Sequence, residues 1–119
     1  MHLLATTSGV IDGGAEAIDL KQSPGDIVIL SAADSELANL ARALDTLRID
    51  NVRLANLMLL QHNYSVDLYT EQTLAHAKLI VVRLLGGKSY WDYGVDSLAA
   101  LARRKRIALA ILPGGQERD

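Results

Sequence analysis

The run Leu79-Ile80-Val81-Val82, carried on through Leu84-Leu85 and stopped by Gly86-Gly87, constrains this fold more than any other stretch of the chain. A β-branched, apolar run of that length fits a strand buried on both faces, as in the middle of a parallel sheet. The two glycines give the backbone freedom where a side chain would crowd a tight turn or a bound group. Lys88, Ser89, Tyr90, Trp91, Asp92 and Tyr93 follow directly. Three of the chain's five aromatic residues, one Trp and four Tyr in all, thus stand just past the carboxyl end of its most apolar strand. In open α/β sheets that end is where ligands and partners bind.

Four more apolar runs read as strands: His2 to Thr6, Asp26 to Leu30, Val52 to Asn56 and Ile107 to Leu112. Between them lie helical patterns. Leu37, Leu40, Ala41, Leu44 and Leu47 recur at helical spacing. Ser31 and Asp34 stand ahead of them as capping residues. Ser65 reads as the N-cap of a helix over Val66 to Ala77, and Val95, Leu98, Leu101 and Ala102 mark another that ends in Arg103-Arg104-Lys105-Arg106. Cations there complement the negative end of the helix. Residues 8–25 form a long connection that ends in the turn signal Pro24-Gly25. Strands alternating with helices imply right-handed crossovers and a parallel sheet. The expected architecture is a three-layer, flavodoxin-like α/β domain over residues 1–115, with five strands in the order 2-1-3-4-5. Residues 116–119 read as the start of a linker, as in a piece of a longer polypeptide.

Composition removes several functions. At 119 residues, half of them hydrophobic, the chain suffices for one core and is not a disordered segment. A net charge of -2 gives no reason to expect nucleic acid or an anionic membrane as partner. With no cysteine, disulfides, thiolate metal sites and cysteine nucleophiles are excluded. No run of about 18 apolar residues is present to span a membrane, and MHLLATTSG lacks the pattern of a signal peptide, so the expected location is the cytoplasm.

The candidate binding or docking residues are Gly86, Gly87, Lys88, Tyr90, Trp91 and Tyr93, joined by His62 from the loop after the third strand. The aromatics would stack on a planar ligand or cover a neighbouring domain, and part of their area is expected to be exposed. The hydroxyl-rich Thr6-Thr7-Ser8-Gly9 loosely resembles the phosphate loop of flavodoxins, which keeps an FMN-binding electron-transfer or ligand-binding domain as the alternative function. His2, His62 and His76 do not fall at metal-ligand spacing. A receiver-domain reading fails because the first strand ends in Thr6 and the third in Asn56. Ser8, Ser31 and Ser89 lack a nucleophile-elbow context. No catalytic residue and no metal ligand is assigned.

The stretch SVDLYTEQTLAHAKLIVVRLLGGKSYWDYGVDSL, Ser65 to Leu98, together with MHLLATT and PGDIVILSAADSELA, resembles the N-terminal region of the large subunit of aerobic cobaltochelatase, a family related to the magnesium chelatase large subunit. The resemblance implies a ligase of aerobic cobalamin biosynthesis. Such an enzyme inserts cobalt into hydrogenobyrinic acid a,c-diamide, and two AAA+ partner subunits couple ATP hydrolysis to the insertion. It also implies that this chain is at most one domain of a much longer subunit. The residues that handle cobalt and corrin are expected mostly elsewhere in the subunit, and none is assigned to these positions. The expected role is a non-catalytic scaffold or docking domain, partnered by the rest of the large subunit, the AAA+ subunits and the corrin precursor.

Overall fold

In the computed structural model, residues 19–84 and 91–113 are described. Four parallel strands, β1 (Ile27–Ser31), β2 (Val52–Asn56), β3 (Leu79–Leu84) and β4 (Ala108–Pro113), form one sheet in the order β2-β1-β3-β4. The register is continuous: Val28 lies level with Arg53 and Ile80, and Ile80 with Leu109. Helix α1 (Asp34–Thr46) joins β1 to β2. The 3-10 turn η1 (Leu57–Leu60), helix α2 (Asn63–Gln72) and a second 3-10 turn, η2 (Leu74–His76), lead to β3, and helix α3 (Asp92–Lys105) leads to β4.

Side-chain alternation explains the layers. Successive strand residues point to opposite faces, and each face finds its own helices. Val28, Leu30, Ala55, Ile80, Val82 and Leu84 pack with Leu57, Leu60, Val66, Tyr69, Leu74, Trp91, Val95, Leu98 and Leu101 in the main core, under α2 and α3. On the other face Leu37 of α1, with Leu40, Ala41 and Leu44 beside it, covers Val52, Leu54, Ile27 and Ile29. The parallel α/β expectation holds, and β3 is internal, between β1 and β4.

Three expectations are corrected. The five-strand order placed 26–30 at an edge and 52–56 beside 79–85, whereas β1 lies between β2 and β3. The chain doubles back after β1, so β1 takes the central place expected for residues 2–6, which lie outside the described residues. Ser65 is not the cap of α2. It is buried in the first turn, and His62 caps instead, its Nδ1 accepting from the Tyr64 N–H at 3.1 Å. The helix expected over 66–77 stops at Gln72: the Thr73 backbone leaves helical geometry at φ -125°, and its hydroxyl donates to the Gln22 carbonyl at 2.6 Å. No helix among the described residues is long and apolar enough to cross a membrane.

Candidate functional site at the carboxyl end of the sheet

The switch in winding direction falls between β1 and β3, and crevices at such points are the usual ligand sites of open α/β sheets. Here one carboxylate occupies the point. Glu36, in the first turn of α1, accepts from the Ser31 hydroxyl at 2.8 Å and pairs with Arg83 of β3. Ser31 in turn accepts from the Ala33 N–H at 3.1 Å, shaping the entry to α1. Beside it Asn56, at the end of β2, donates to Asp34 at 2.6 Å and accepts from the Met58 N–H at 2.8 Å. These short links tie three strand ends to the start of α1. The Ser31–Glu36–Arg83 triplet was not singled out from sequence. The five-residue spacing of Ser31 and Glu36 is legible there, but Arg83 reads as an interruption of an apolar run.

Trp91 is placed differently from the expectation. It is 5% exposed, and its indole N–H donates to the Leu60 carbonyl at 3.0 Å. The expected exposure is therefore corrected for this residue: the ring is part of the main core and is not free to stack on a ligand. Gly94 makes that possible. A Cβ at Gly94 would overlap the indole, so the first turn of α3 has to be bare where the ring lies across it. The glycine that matters structurally in this motif is thus Gly94, which closes Trp-Asp-Tyr-Gly. Gly86, Gly87, Lys88 and Tyr90 lie outside the described residues.

Tyr93 and His62 remain at the surface. Tyr93 is 40% exposed and its hydroxyl donates to Asp67 of α2 at 2.8 Å. That bond, the largest cause, raises the phenol above its ordinary pKa, since its proton is held by a carboxylate that would repel the phenolate. Tyr64 is 56% exposed and stands three residues before Asp67, on the same side of α2. His62 is exposed two residues after the carbonyl that holds Trp91. Three of the seven candidate residues therefore meet around the start of α2 and α3: Trp91 inside, Tyr93 and His62 outside. Between the two helices runs an open groove of about 720 Å³, with Asp67 and Glu71 on one wall and Arg104 and Lys105 on the other. His76 lies exposed at its side, as its polar neighbours suggest. Among the described residues no group of three or more His, Asp or Glu is placed to hold a metal ion. Thr6 to Gly9, the phosphate-loop candidate, lies outside the described residues.

Fold and site together define an α/β domain with a parallel sheet, helices on both faces, and tyrosines displayed beside the carboxyl ends of its strands. No protein-family model matches the chain, and no solved structure matches it. Two curated relatives do. Aerobic cobaltochelatase subunit CobN of a Sinorhizobium species is 51% identical over 122 residues, and the subunit of the same name from Pseudomonas aeruginosa is 45% identical over 121. Each match takes in 100% of this chain but only 9% and 10% of the relatives' own length. The chain belongs to the CobN family, as one segment of such a subunit.

Proposed function

We propose that this segment serves a cobaltochelatase large subunit as a scaffold and docking domain, without chemistry of its own. The complete enzyme inserts cobalt into hydrogenobyrinic acid a,c-diamide, and AAA+ subunits supply the coupling to ATP. Cobalt and corrin are substrates of the assembly, handled mainly by the other nine-tenths of the subunit. The observation that carries this reading is the 51% identity to a CobN subunit along the full chain.

The docking surface is the exposed strip His62, Tyr64 and Tyr93, and Gly86, Gly87, Lys88 and Tyr90, which precede Trp91 in sequence, are proposed to belong to it. Tyrosine offers a large contact area with a hydroxyl at its tip, and suits contacts between domains. Trp91 serves this surface from within, since it fixes the start of α3 that carries Tyr93. Burying a tyrosine anchor commonly contributes about 2 kcal/mol or more, so truncating two of them gives a measurable loss. In the full-length subunit with its AAA+ partners and ATP, Tyr64→Ala with Tyr93→Ala is expected to slow cobalt insertion at least tenfold, read from the corrin absorbance. The 119-residue chain alone is expected to show no insertion. Insertion by the chain alone, or an unchanged rate in the double variant, rejects the reading.

A further inference from the structure

The two edges of the sheet are unlike. Along β2 the segment 19–25 acts as a cover: the Gln22 amide donates to the Leu54 carbonyl at 3.1 Å, and Arg53 Nε donates to the Ser23 carbonyl at 2.9 Å. With α1 over Val52 and Leu54 and the main core over Ala55, four of the five β2 residues are buried. At the opposite edge β4 reads Ala-Leu-Ala-Ile-Leu-Pro, six residues without a charge. Ile111 is 39% and Leu112 44% exposed, and Ala108 is exposed too. Among the described residues no strand pairs with the outer side of β4. Natural sheets guard an edge with charges, bulges, short strands or a cover, because an apolar free edge recruits other strands. β4 ends in a proline, and among the described residues it has no charge, bulge or covering segment.

Among the described residues, one face of the same strands also lacks a helix over it. Register places Val81 level with Ala110 and Arg83 level with Leu112, all on the side of the sheet where α1 lies. Yet the apolar side of α1 packs over β1 and β2, with Glu36 reaching Arg83 of β3, and Val81 and Ala110 are left half-buried and Leu112 exposed. Connection rules indicate what fits there. The chain moves outward from β3 to β4 through α3, on the face that α2 shares. A further right-handed step outward delivers another parallel strand to the free side of β4, with its helix again on the α3 face. A helix after that strand can return across the bare α1 side.

We propose that the outer edge of β4 and the bare Val81–Ala110–Leu112 face are filled by polypeptide that follows Asp119 in the full-length subunit, entering as a parallel strand and a returning helix. The length of the relatives supports this occupant, for about nine-tenths of a CobN subunit lies outside this chain. β4, the last described strand in chain order, borders this edge. The proposal rests on the family assignment only through that length, and not on the tyrosine surface. It moves the end of the domain beyond residue 115.

The test uses the full-length subunit with a photo-crosslinking benzoylphenylalanine in place of Leu112, and hydrogen exchange on the unmodified protein. Crosslinks are expected within one chain, to residues after 119. The β4 amides that point away from β3 are expected to exchange at least 100-fold slower than open amides. Crosslinks to residues 1–18, to a second copy or to an AAA+ subunit would each name a different occupant and overturn the proposal. So would the absence of crosslinks, or exchange at the open-chain rate. Loss of cobalt insertion in Tyr64→Ala with Tyr93→Ala is a separate readout, so failure of either idea leaves the other standing.

Discussion

Gly94 and Trp91 have to be understood as a pair. In the first turn of an ordinary helix Gly→Ala adds up to about 1 kcal/mol of helix propensity. Here the added methyl would meet the indole, and the ring cannot yield freely because its N–H is bonded to the Leu60 carbonyl inside the core. Overpacking a filled core costs about 1–3 kcal/mol, and a buried carbonyl left without its donor adds about 1–3 more. Steric cost therefore exceeds the propensity gain, and Gly94→Ala should lower stability by about 2–3 kcal/mol in urea unfolding followed by Trp91 fluorescence. A neutral or stabilised variant would mean that the ring does not lie over the turn. Tyr69 is the second residue whose setting has a measurable consequence. It is 2% exposed and its hydroxyl donates to Gln22 Oε1. Burial pushes its pKa far above the ordinary tyrosine value near 10, with the Arg53 charge opposing only in part. The unfolded chain can ionise this group from about pH 10, while the folded chain cannot. The stability that the neutral phenol contributes is thus complete below pH 10 and is lost as pH rises above it. The urea midpoint is expected to fall progressively as pH is raised above about 10, and Tyr69→Phe to flatten that fall.

At the level of elements, strands and helices differ in how plainly residues announce them. β3 is legible because both of its faces are apolar, apart from Arg83, so no alternation has to be resolved. α1 and α3 are legible through Leu37, Leu40 and Leu44, and through Val95, Leu98 and Leu101, each at helical spacing. The last turn of α3 carries Arg103, Arg104 and Lys105, as the charge run indicates, and Arg106 closes it at φ 59°, in the left-handed region where glycine is more usual. What escaped the sequence reading depends on partners far along the chain. Ser65 and His62 both precede a helical pattern, and local rules favour serine as the cap. The choice of His62 follows from burial of Ser65, which only packing decides. Strand order is another such property. The pattern of 26–30 is equally apolar at an edge or in the centre, and its place is set by pairing with β2 and β3. For the site, the position of the aromatics past β3 was legible, but their division into a buried Trp91 and an exposed Tyr93 was not. That division depends on the Leu60 carbonyl, 31 residues away, and on Asp67, 26 residues away.

Across the whole molecule, one side chain joins the connecting segment to both the sheet and the main core. Gln22 donates to the Leu54 carbonyl of β2, accepts from Tyr69 of α2, and lends its own backbone carbonyl to Thr73. These partners are 32, 47 and 51 residues away in sequence. The position is 7% exposed, so water cannot readily replace what the amide supplies. In Gln22→Ala the backbone bond to Thr73 survives, but the Leu54 carbonyl and the Tyr69 hydroxyl each lose a buried partner. At about 1–3 kcal/mol for each group left unsatisfied, the loss is expected to reach about 2–4 kcal/mol. That exceeds the roughly 1 kcal/mol typical of a surface pair such as Glu36 with Arg83, whose side chains are 31% and 36% exposed. Glu36→Gln therefore serves as the control and should cost about 1 kcal/mol or less. Hydrogen exchange gives the spatial half of the prediction. With the cover loosened, amides of β2 should exchange faster while those shared by β3 and β4 keep their rates, because the Gln22 amide donates to β2, at one edge of the sheet. Uniform acceleration across all four strands would instead show that the segment supports the fold as a whole, and not the edge that it covers.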